Sequence, residues 1–491
     1  MSDALEKRIK KHIIGKPHRF LAISPLGFEQ TLARELDCIL GESATELPHV
    51  TGDGKVEFTT KLTEAWKAVA VSRIANRVLM EVASFKAENF RELEKKASEI
   101  PWELYLDANV IPSRARDPVK FTNALNIHVT CKHSRLYHSD AIAERLYNVI
   151  AQSNIPQSEA SSEGKARPHT PKPDSSGDPI PQNLYVNFLD DRCTIWLDLA
   201  GEELYKRGFE RFVNDAPLKE TIASAMIFEA FHFLPSTSCC LLDLMSGSGT
   251  FSLESACIAN KIIPGTCRDF ALKHQPAFKE ATWNFLIRQE TRDERRENST
   301  SAPVPPNKAK SNTSTFVTLS ETKGPVKSCN SIANIITSDI SERAVNIIKH
   351  NIECSPLAQI APNENTPTIY PQLRDFFSYT AKEIADICSD TSPVLVLNPP
   401  YGKRLDFDAP KLYTQIGKKL TELARDLRNL GKSLTVAILA PKDDTRDGAK
   451  YTCTANLLRE CPALSKEHTP TAKVVQTSHG GFSLNAFFAT I

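Results

Sequence analysis

The sequence lacks a surplus of either charge. Its 491 residues include 60 Lys and Arg against 59 Asp and Glu, which leaves a formal net charge of +1. A molecule with so little net charge has no overall field that attracts nucleic acid or another polyanion. Any nucleic-acid site must therefore be a local basic patch.

Long apolar segments are also missing. The apolar run at residues 434–440 is far shorter than the roughly 20 residues that a membrane-spanning helix needs. The first residues are basic but lack the apolar region and small-residue cleavage site of a secretory signal. We expect a cytoplasmic protein that is not integral to a membrane.

No two of the 12 cysteines form a Cys-x-x-Cys motif, so we interpret them as reduced, mostly buried thiols rather than zinc or iron-sulfur ligands. His128, Cys131, His133 and His138 lie close together in the chain. On a strand, however, His128 faces away from Cys131 and His133. The spacing therefore predicts no metal site.

Two segments have too few apolar side chains to join a core. Residues 156–179 contain no Ile, Leu, Val, Met or aromatic residue, and residues 298–315 have Val304 as their only large aliphatic. Nothing in them offsets the entropy of ordering the chain. We predict disordered insertions at about 156–182 and about 292–330.

The remaining sequence divides into two α/β parts, within the two to four domains that this length allows. A basic extension (1–18) precedes a module at 19–211. In this module we predict strands at 20–23, 125–131 and two within 184–199, and helices at 26–40 and 139–150.

Residues 212–491 then alternate strand and helix. The strands are predicted at 239–245, 334–338, 394–397 and 434–439, and the helices at 250–259, 341–352 and 409–427. This alternation predicts a doubly wound parallel sheet, and residues 474–477 and 482–489, joined by a glycine turn, add an antiparallel hairpin.

The motif LLDLMSGSGT at residues 241–250 places an acid at the end of a strand and two glycines before a helix. Such glycines let the backbone approach a ligand, and a helix amino terminus favours an anion. We infer a nucleotide-like ligand. A dinucleotide site would need glycine in place of Ser252, and a P-loop would need glycine in place of Asp426. An ordinary tight turn remains an alternative.

The motif VLVLNPPYGKRL at residues 394–405 is a buried strand that stops at two prolines. Asn398, Pro399, Pro400 and Tyr401 are thereby placed at the carboxyl edge of the sheet. The Asn398 amide oxygen and the Pro399 carbonyl suit the two N–H groups of an exocyclic amine on a base, and Tyr401 suits stacking. A proline-capped strand with an incidental tyrosine is the alternative.

These two motifs, with RGFERFVNDAPLKETIASAMI upstream of them, resemble the THUMP-containing ribosomal RNA guanine-N2 methyltransferases of the RlmL and YpsC-like group. FLAISPLGFEQTLARELDCIL resembles the opening strand and helix of that family, and CKHSRLYHSDAIAERL resembles a THUMP segment. The resemblance implies a Rossmann-like class I methyltransferase domain with a doubly wound mixed sheet. A ferredoxin-like plus THUMP module would precede it and bind RNA.

The resemblance also implies roles for individual residues. S-adenosylmethionine would be bound by Pro217, Leu218, Lys219, Asp243, Ser246, Gly247, Gly249, Thr250, Asp339 and Asp375, with Asp339 at the ribose and Asp375 at the adenine amino group. An aspartate that is simply exposed to solvent at the end of a strand is an equally good interpretation of Asp375. The sequence departs from the family in having Leu244 and Ser246 where proline and cysteine are usual, which affects the expected cofactor affinity.

Basic residues cluster at several places outside these motifs. As RNA contacts we predict Arg114, Arg116, Lys132, Arg135, Lys206, Arg207 and Arg211. Solvated faces balanced by nearby acids are the alternative. For the whole chain, the alternatives to methyl transfer to large-subunit ribosomal RNA are methylation of DNA adenine or protein glutamine, and a non-catalytic role as an RNA-binding ribosome-assembly factor.

Overall fold

The computed structural model describes residues 3–107, 125–153, 181–213, 217–297, 331–360, 367–401, 408–446 and 449–491. Both predicted insertions lie largely outside the described residues. At their edges a strand begins at Gln182 and a helix extends to Glu297, so regular structure reaches into both predicted segments.

In the described residues, the N-terminal half forms one mixed sheet of seven strands, in the order β2-β3-β1-β4-β7-β6-β5. The strands are β1 (Pro17–Ile23), β2 (Glu46–Gly52), β3 (Lys55–Lys61), β4 (Arg77–Lys86), β5 (Leu125–Lys132), β6 (Gln182–Leu189) and β7 (Arg192–Asp198). The helices are α1 (Asp3–Ile9), α2 (Glu29–Leu40), α3 (Leu62–Val71), α4 (Phe90–Ser98) and α5 (Ser139–Gln152). Only β5 and β6 pair in parallel among the described neighbours.

Local sequence explains several of these elements. Leu32, Leu36 and Leu40 recur every four residues in α2, and all three are buried against the sheet. Asp190 and Asp191 have φ of 50° and 62° and form the two-residue turn between β6 and β7. Asp tolerates this left-handed conformation, which hairpin turns require. The predicted split of this segment into two strands is confirmed.

The C-terminal half is built on a second seven-stranded sheet, ordered β10-β9-β8-β11-β12-β16-β15 in the described residues. Its strands are β8 (Ser238–Asp243), β9 (Ser331–Asp339), β10 (Pro371–Leu373), β11 (Ser392–Leu397), β12 (Thr435–Pro441), β15 (Lys473–His479) and β16 (Phe482–Thr490), and a separate small hairpin contains β13 (Asp444–Arg446) and β14 (Ala449–Tyr451). The helices are α6 (Glu220–Phe231), α7 (Thr250–Ala259), α8 (Glu280–Glu297), α9 (Glu342–Cys354), α10 (Ala381–Cys388), α11 (Ala409–Asn429) and α12 (Cys453–Glu460).

Strands β10, β9, β8, β11 and β12 are parallel, and β16 and β15 complete the sheet as an antiparallel pair. Nearly every residue of β8, β11 and β12 is buried. Such continuous apolar strands are typical of a parallel sheet with helices on both faces. The predicted doubly wound mixed sheet with a final hairpin is confirmed.

The two halves share one apolar core. The ring of Phe28, just before α2, packs edge to face on Phe488 of β16, with 6.4 Å between ring centroids. Buried Glu229 of α6 accepts hydrogen bonds from Thr31 and Arg34 of α2, at 2.6 and 2.7 Å. These contacts fix the N-terminal half against the C-terminal sheet. No helix in the described part of the chain combines the length and apolar character needed to cross a bilayer.

Candidate active site

A cavity of about 1600 Å³ opens at the carboxyl ends of β8, β9 and β11. Strand β8 pairs in parallel with both β9 and β11, so the two sequence motifs meet at one edge of the sheet. Ser246 and Gly247 line the cavity from one motif, and Asn398 to Tyr401 line it from the other. This edge is where doubly wound sheets bind ligands.

Two glycines shape the loop after β8. Gly247 has φ +55°, and a Cβ added there would meet nothing within 4 Å, so the loop offers bare backbone to a ligand. Gly249 has φ +79°, and a Cβ there would lie 2.9 Å from Ile348 Cγ1. Gly249 thus allows close packing on α9; Ser248 and Thr250 on either side of it line the cavity, and its contact with a cofactor stays a prediction.

Asp243 is fully buried and also lies behind the cavity wall. Its Oδ2 accepts hydrogen bonds from the Ser252 backbone N–H at 3.1 Å and the Ser252 hydroxyl at 2.6 Å. Burial raises the pKa of Asp243 to about 7, partly opposed by the Ser252 hydrogen bonds. The predicted direct cofactor contact is therefore replaced by a role in tying the glycine loop to the first turn of α7.

Asp339 lines the cavity at the end of β9. Its Oδ2 accepts a hydrogen bond from the Gly247 N–H at 2.8 Å, and its Oδ1 accepts one from the Ser341 N–H at 2.9 Å. Each carboxylate oxygen retains capacity for a further hydrogen bond. Asp375 also lines the cavity, with Oδ1 accepting from the Phe377 N–H at 3.0 Å. Both predicted acids are thus brought to the cavity.

Pro217, Leu218, Lys219 and Thr250 line the cavity as well. Lys219 lies beside α6, with its ammonium 4.5 Å from the centroid of the Tyr205 ring. Thr250 is buried at the start of α7 and bonds to Arg211. The structure therefore brings eight of the ten predicted cofactor residues to one cavity. The other two, Asp243 and Gly249, lie behind its wall.

Asn398 follows β11 and has an unusual environment. Its Oδ1 is buried, and among the described residues it has no hydrogen-bond partner. Pro399 is buried and its carbonyl lies 3.5 Å from the hydroxyl of Tyr413, which bonds better to the Leu439 carbonyl at 3.0 Å. Asn398 Oδ1 is thus a buried acceptor without a partner among the described residues, which is a costly arrangement, on a residue that lines the cavity.

Tyr401 is half-buried and lies beside two residues of the C-terminal hairpin. Its hydroxyl is 3.5 Å from His479 Nδ1, and its ring meets Phe482 edge to face at 5.8 Å between centroids. His479 and Phe482 line the same cavity. The sequence assigned them no role, because the contact joins residues about 80 positions apart and only the sheet topology brings them together.

Arg211 also lines this cavity. Its guanidinium bonds to Glu220 and Thr250 and lies 3.3 Å from the Ser248 hydroxyl. The side chain is largely buried. Arg211 thus connects the glycine loop to α6, and its contact with RNA stays a prediction.

Buried Asn351 of α9 makes a second connection to this loop. Its amide donates to the Phe212 carbonyl at 2.9 Å and the Ser248 carbonyl at 3.1 Å, and its Oδ1 accepts from the Phe212 N–H at 2.8 Å. The segment entering the C-terminal half is therefore fastened to the glycine loop. Sequence patterns gave no signal for Asn351, since an asparagine on a helix is usually exposed.

The other predicted RNA contacts are dispersed. Arg207 is buried, with a bidentate bond to Glu254 at 3.1 and 3.0 Å, so its predicted RNA contact is wrong. Lys206 and Arg135 are exposed but pair with acids, and Lys132 is exposed. Arg114 and Arg116 lie outside the described residues.

Comparison with known proteins agrees with this geometry. Residues 207–440 match the RMKL-like methyltransferase domain family, and residues 19–79 match the RlmL ferredoxin-like domain. The chain is 27% identical over 411 residues to ribosomal RNA large subunit methyltransferase K/L of Allochromatium vinosum, covering 82% of this chain and 46% of that protein. It is also 26% identical over 411 residues to YpsC of Bacillus subtilis, which is described provisionally as an RNA methyltransferase. That match covers 83% of this chain and 86% of YpsC.

Solved structures share the fold. One is a protein described provisionally as a methyltransferase, crystallised with S-adenosylhomocysteine (SAH), with a TM-score of 0.62 at 20% identity; 96% of this chain and 98% of that chain are covered. The chain spans about half the length of the K/L relatives that it matches. The chain therefore contains a methyltransferase domain of the RMKL-like family, preceded by a ferredoxin-like domain of the RlmL type.

Proposed function

We propose that this chain is an S-adenosylmethionine-dependent RNA methyltransferase that acts on the N2 amine of a guanine in large-subunit ribosomal RNA. The observation that carries the proposal is the buried Oδ1 of Asn398, which has no hydrogen-bond partner among the described residues, on a residue that lines the same cavity as the glycine loop and Asp339. An acceptor in this position suits an uncharged N–H donor, which an exocyclic amine provides.

The other side of the cavity fits S-adenosylmethionine. The bare backbone at Gly247 permits close approach, the remaining acceptor capacity of Asp339 suits two ribose hydroxyls, and Asp375 suits the adenine amino group. When bound, this cofactor supplies an electrophilic methyl group on a positively charged sulfur. The Allochromatium relative is named for methylation of large-subunit ribosomal RNA, which supports the substrate class.

The chain itself acts mainly by positioning. Asn398 Oδ1 and the Pro399 carbonyl accept hydrogen bonds from the amine, which orients its lone pair. The Tyr401 ring stacks on the base, a contact worth about 1–3 kcal/mol in single-strand binders. Pro400, exposed at the rim, ends the strand and keeps the following backbone from pairing. No general base is needed, because the amine proton can leave after methyl transfer, and orientation supplies most of the catalysis.

We further propose that the N-terminal module is a ferredoxin-like and THUMP unit that binds the RNA and that the target base is splayed into the cavity. Exposed Lys132, Arg135 and Lys206 remain proposed phosphate contacts. With a net charge of only +1, affinity must come from such local residues, and it should fall steeply with salt.

Asn398→Ala tests the proposal. Methyl transfer to ribosomal RNA should fall on the order of 100-fold or more, as when one preorganised polar contact to a reacting group is removed. Binding of S-adenosylmethionine, measured by calorimetry, should stay nearly unchanged. Asn429→Ala, at the exposed end of α11, is the matched control. Unchanged turnover of Asn398→Ala would refute the assignment.

The base and the class of substrate need separate measurements. Mass spectrometry of ribosomal RNA nucleosides from cells without this protein should show a loss of N2-methylguanosine, and an unchanged level would contradict guanine N2. Labelled methyl groups that enter DNA or protein while RNA stays unlabelled would instead support the DNA or glutamine alternatives. RNA binding without cofactor binding would support a non-catalytic assembly factor.

A further inference from the structure

We propose that the tip of the β15–β16 hairpin is part of the acceptor side of the active site, with His479 as a positioning residue for Tyr401. This inference rests on the proposed function, because Tyr401 is taken to stack on the target base. The juxtaposition that carries it is the contact between His479 and Tyr401 inside the cavity.

His479 connects both sides of the cavity. Its Nδ1 lies 3.5 Å from the Tyr401 hydroxyl, and the backbone of Pro217 acts on the same ring, partly opposing the lowering of the His479 pKa. Pro217 belongs to the proposed cofactor side, and Tyr401 to the proposed base side. A single imidazole therefore links the floor of one subsite to the wall of the other.

The protonation states suit this link. Burial lowers the pKa of His479, and the nearby Lys219 ammonium lowers it further. A neutral imidazole has one N–H and one lone pair. It can donate to the Pro217 carbonyl and accept from Tyr401, whose pKa is raised by burial so that the phenol keeps its proton. A hydrogen bond of this kind orients the phenol O–H towards His479.

The hairpin also holds the ring of Tyr401. His479 and Phe482 are opposite partners in the register of β15 and β16, so one turn places both. Gly480 and Gly481 form that turn with φ of +59° and +83°, which glycine adopts without strain. Phe482 meets the Tyr401 ring edge to face, while His479 engages its hydroxyl. Two contacts from one turn thus fix the ring plane.

A fixed ring plane matters because a small misplacement of a reacting group can cost about 100-fold in rate. We therefore expect His479→Ala to lower kcat on RNA on the order of 10-fold, with S-adenosylmethionine affinity changed little. His479→Gln should recover much of the loss, since a carboxamide can both accept from the phenol and donate to a carbonyl. Exposed His468 provides the matched control, His468→Ala.

A double-mutant cycle separates positioning from a structural effect. Tyr401→Phe removes the hydroxyl, so adding His479→Ala to it should lower kcat no further. If His479→Ala costs the same factor in both backgrounds, the positioning role is wrong.

An NMR measurement tests the contact between His479 and Tyr401 in the absence of RNA. In the full chain labelled with 13Cζ-tyrosine, the NMR signal that Tyr401→Phe removes should shift in His479→Ala and stay in place in His468→Ala. An unmoved signal in His479→Ala would overturn the inference, whatever the activity. If the wild-type protein methylates no RNA, the proposed function fails on its own, and the signal still decides whether His479 orients Tyr401.

Discussion

At the scale of single residues, Asp243 is a buried carboxyl group next to the candidate active site. Its carboxyl group is fully buried, and Oδ1 has no hydrogen-bond partner among the described residues. In the part of the chain that the structure describes, Oδ2 accepts hydrogen bonds from Ser252 alone. Burial without full compensation explains why the pKa rises to about 7, from an ordinary value of 3.8.

This shift predicts a pH dependence of stability. Because the folded state binds this proton more tightly than the unfolded state, the free energy of unfolding should fall as pH rises from about 4 to about 7. The ionised group then costs the folded protein on the order of 4 kcal/mol. Asp243→Asn should therefore be more stable than the wild type at pH 8, by a margin that shrinks towards pH 5.

Thermal denaturation at several pH values measures this margin. Asp386→Asn, which removes an exposed carboxylate from α10, is the control and should show no such trend. A margin for Asp243→Asn that is constant with pH would contradict the prediction.

Gly249 gives a second prediction at this scale. Gly249→Ala would combine a positive φ with a Cβ placed 2.9 Å from the side chain of Ile348. Gly431 has a similar φ of +75°, but a Cβ there meets nothing within 4 Å. Gly431→Ala should cost about 1–2 kcal/mol for the backbone alone, and Gly249→Ala distinctly more.

Chemical denaturation measures both costs, and calorimetry should show weaker S-adenosylmethionine binding for Gly249→Ala only. Equal destabilisation of the two variants would mean that the Ile348 side chain moves away from the added methyl group at little cost in free energy.

At the scale of elements, the central strands β8, β11 and β12 could be predicted from sequence because fully buried parallel strands are continuous apolar runs, whereas the short, largely exposed edge strand β10 was missed. Helix α6 was not predicted, since it is buried on nearly every side and lacks an amphipathic stripe. Strands β2 to β4 were also missed, although β3 alternates buried and more exposed side chains as a half-buried strand does. The glycine loop and Asn398 were placed correctly, as each follows such a buried strand directly.

Helix α10, which follows the Asp375 loop, begins with a capping box. The Thr380 hydroxyl accepts from the Glu383 N–H, and the Glu383 carboxylate accepts from the Thr380 N–H at 2.9 Å. Thr380→Ala should lower the free energy of unfolding by about 1 kcal/mol. Thr380→Ser, which keeps the hydroxyl, should cost much less. Equal losses in chemical denaturation would show that the cap contributes nothing.

At the scale of the whole molecule, a buried ion cluster joins the two halves. Glu254 of α7 accepts from Arg207 at 3.1 and 3.0 Å and from Ser224 at 2.7 Å, and Arg73 from the N-terminal half lies 3.6 Å away. The two arginines depress the pKa of Glu254 despite its burial. Composition could not reveal this cluster, because charged residues are usually exposed unless paired.

Glu254→Ala should destabilise the protein by about 3–5 kcal/mol, because it removes the carboxylate that pairs with two buried guanidinium groups. Thermal denaturation measures the loss. The control is Glu202→Ala, which breaks an exposed pair with Lys206 and should cost about 0–1 kcal/mol. Similar losses for the two variants would indicate that water reaches the buried cluster.

The late position of β15 and β16 in the chain also bears on how the protein is made. His479 and Phe482 complete a cavity whose other walls come from residues as early as Glu202. During translation, the nascent chain therefore carries an incomplete ligand site until these two strands leave the exit tunnel. A ribosome that stalls before them would release a product that has the N-terminal sheet but no finished pocket.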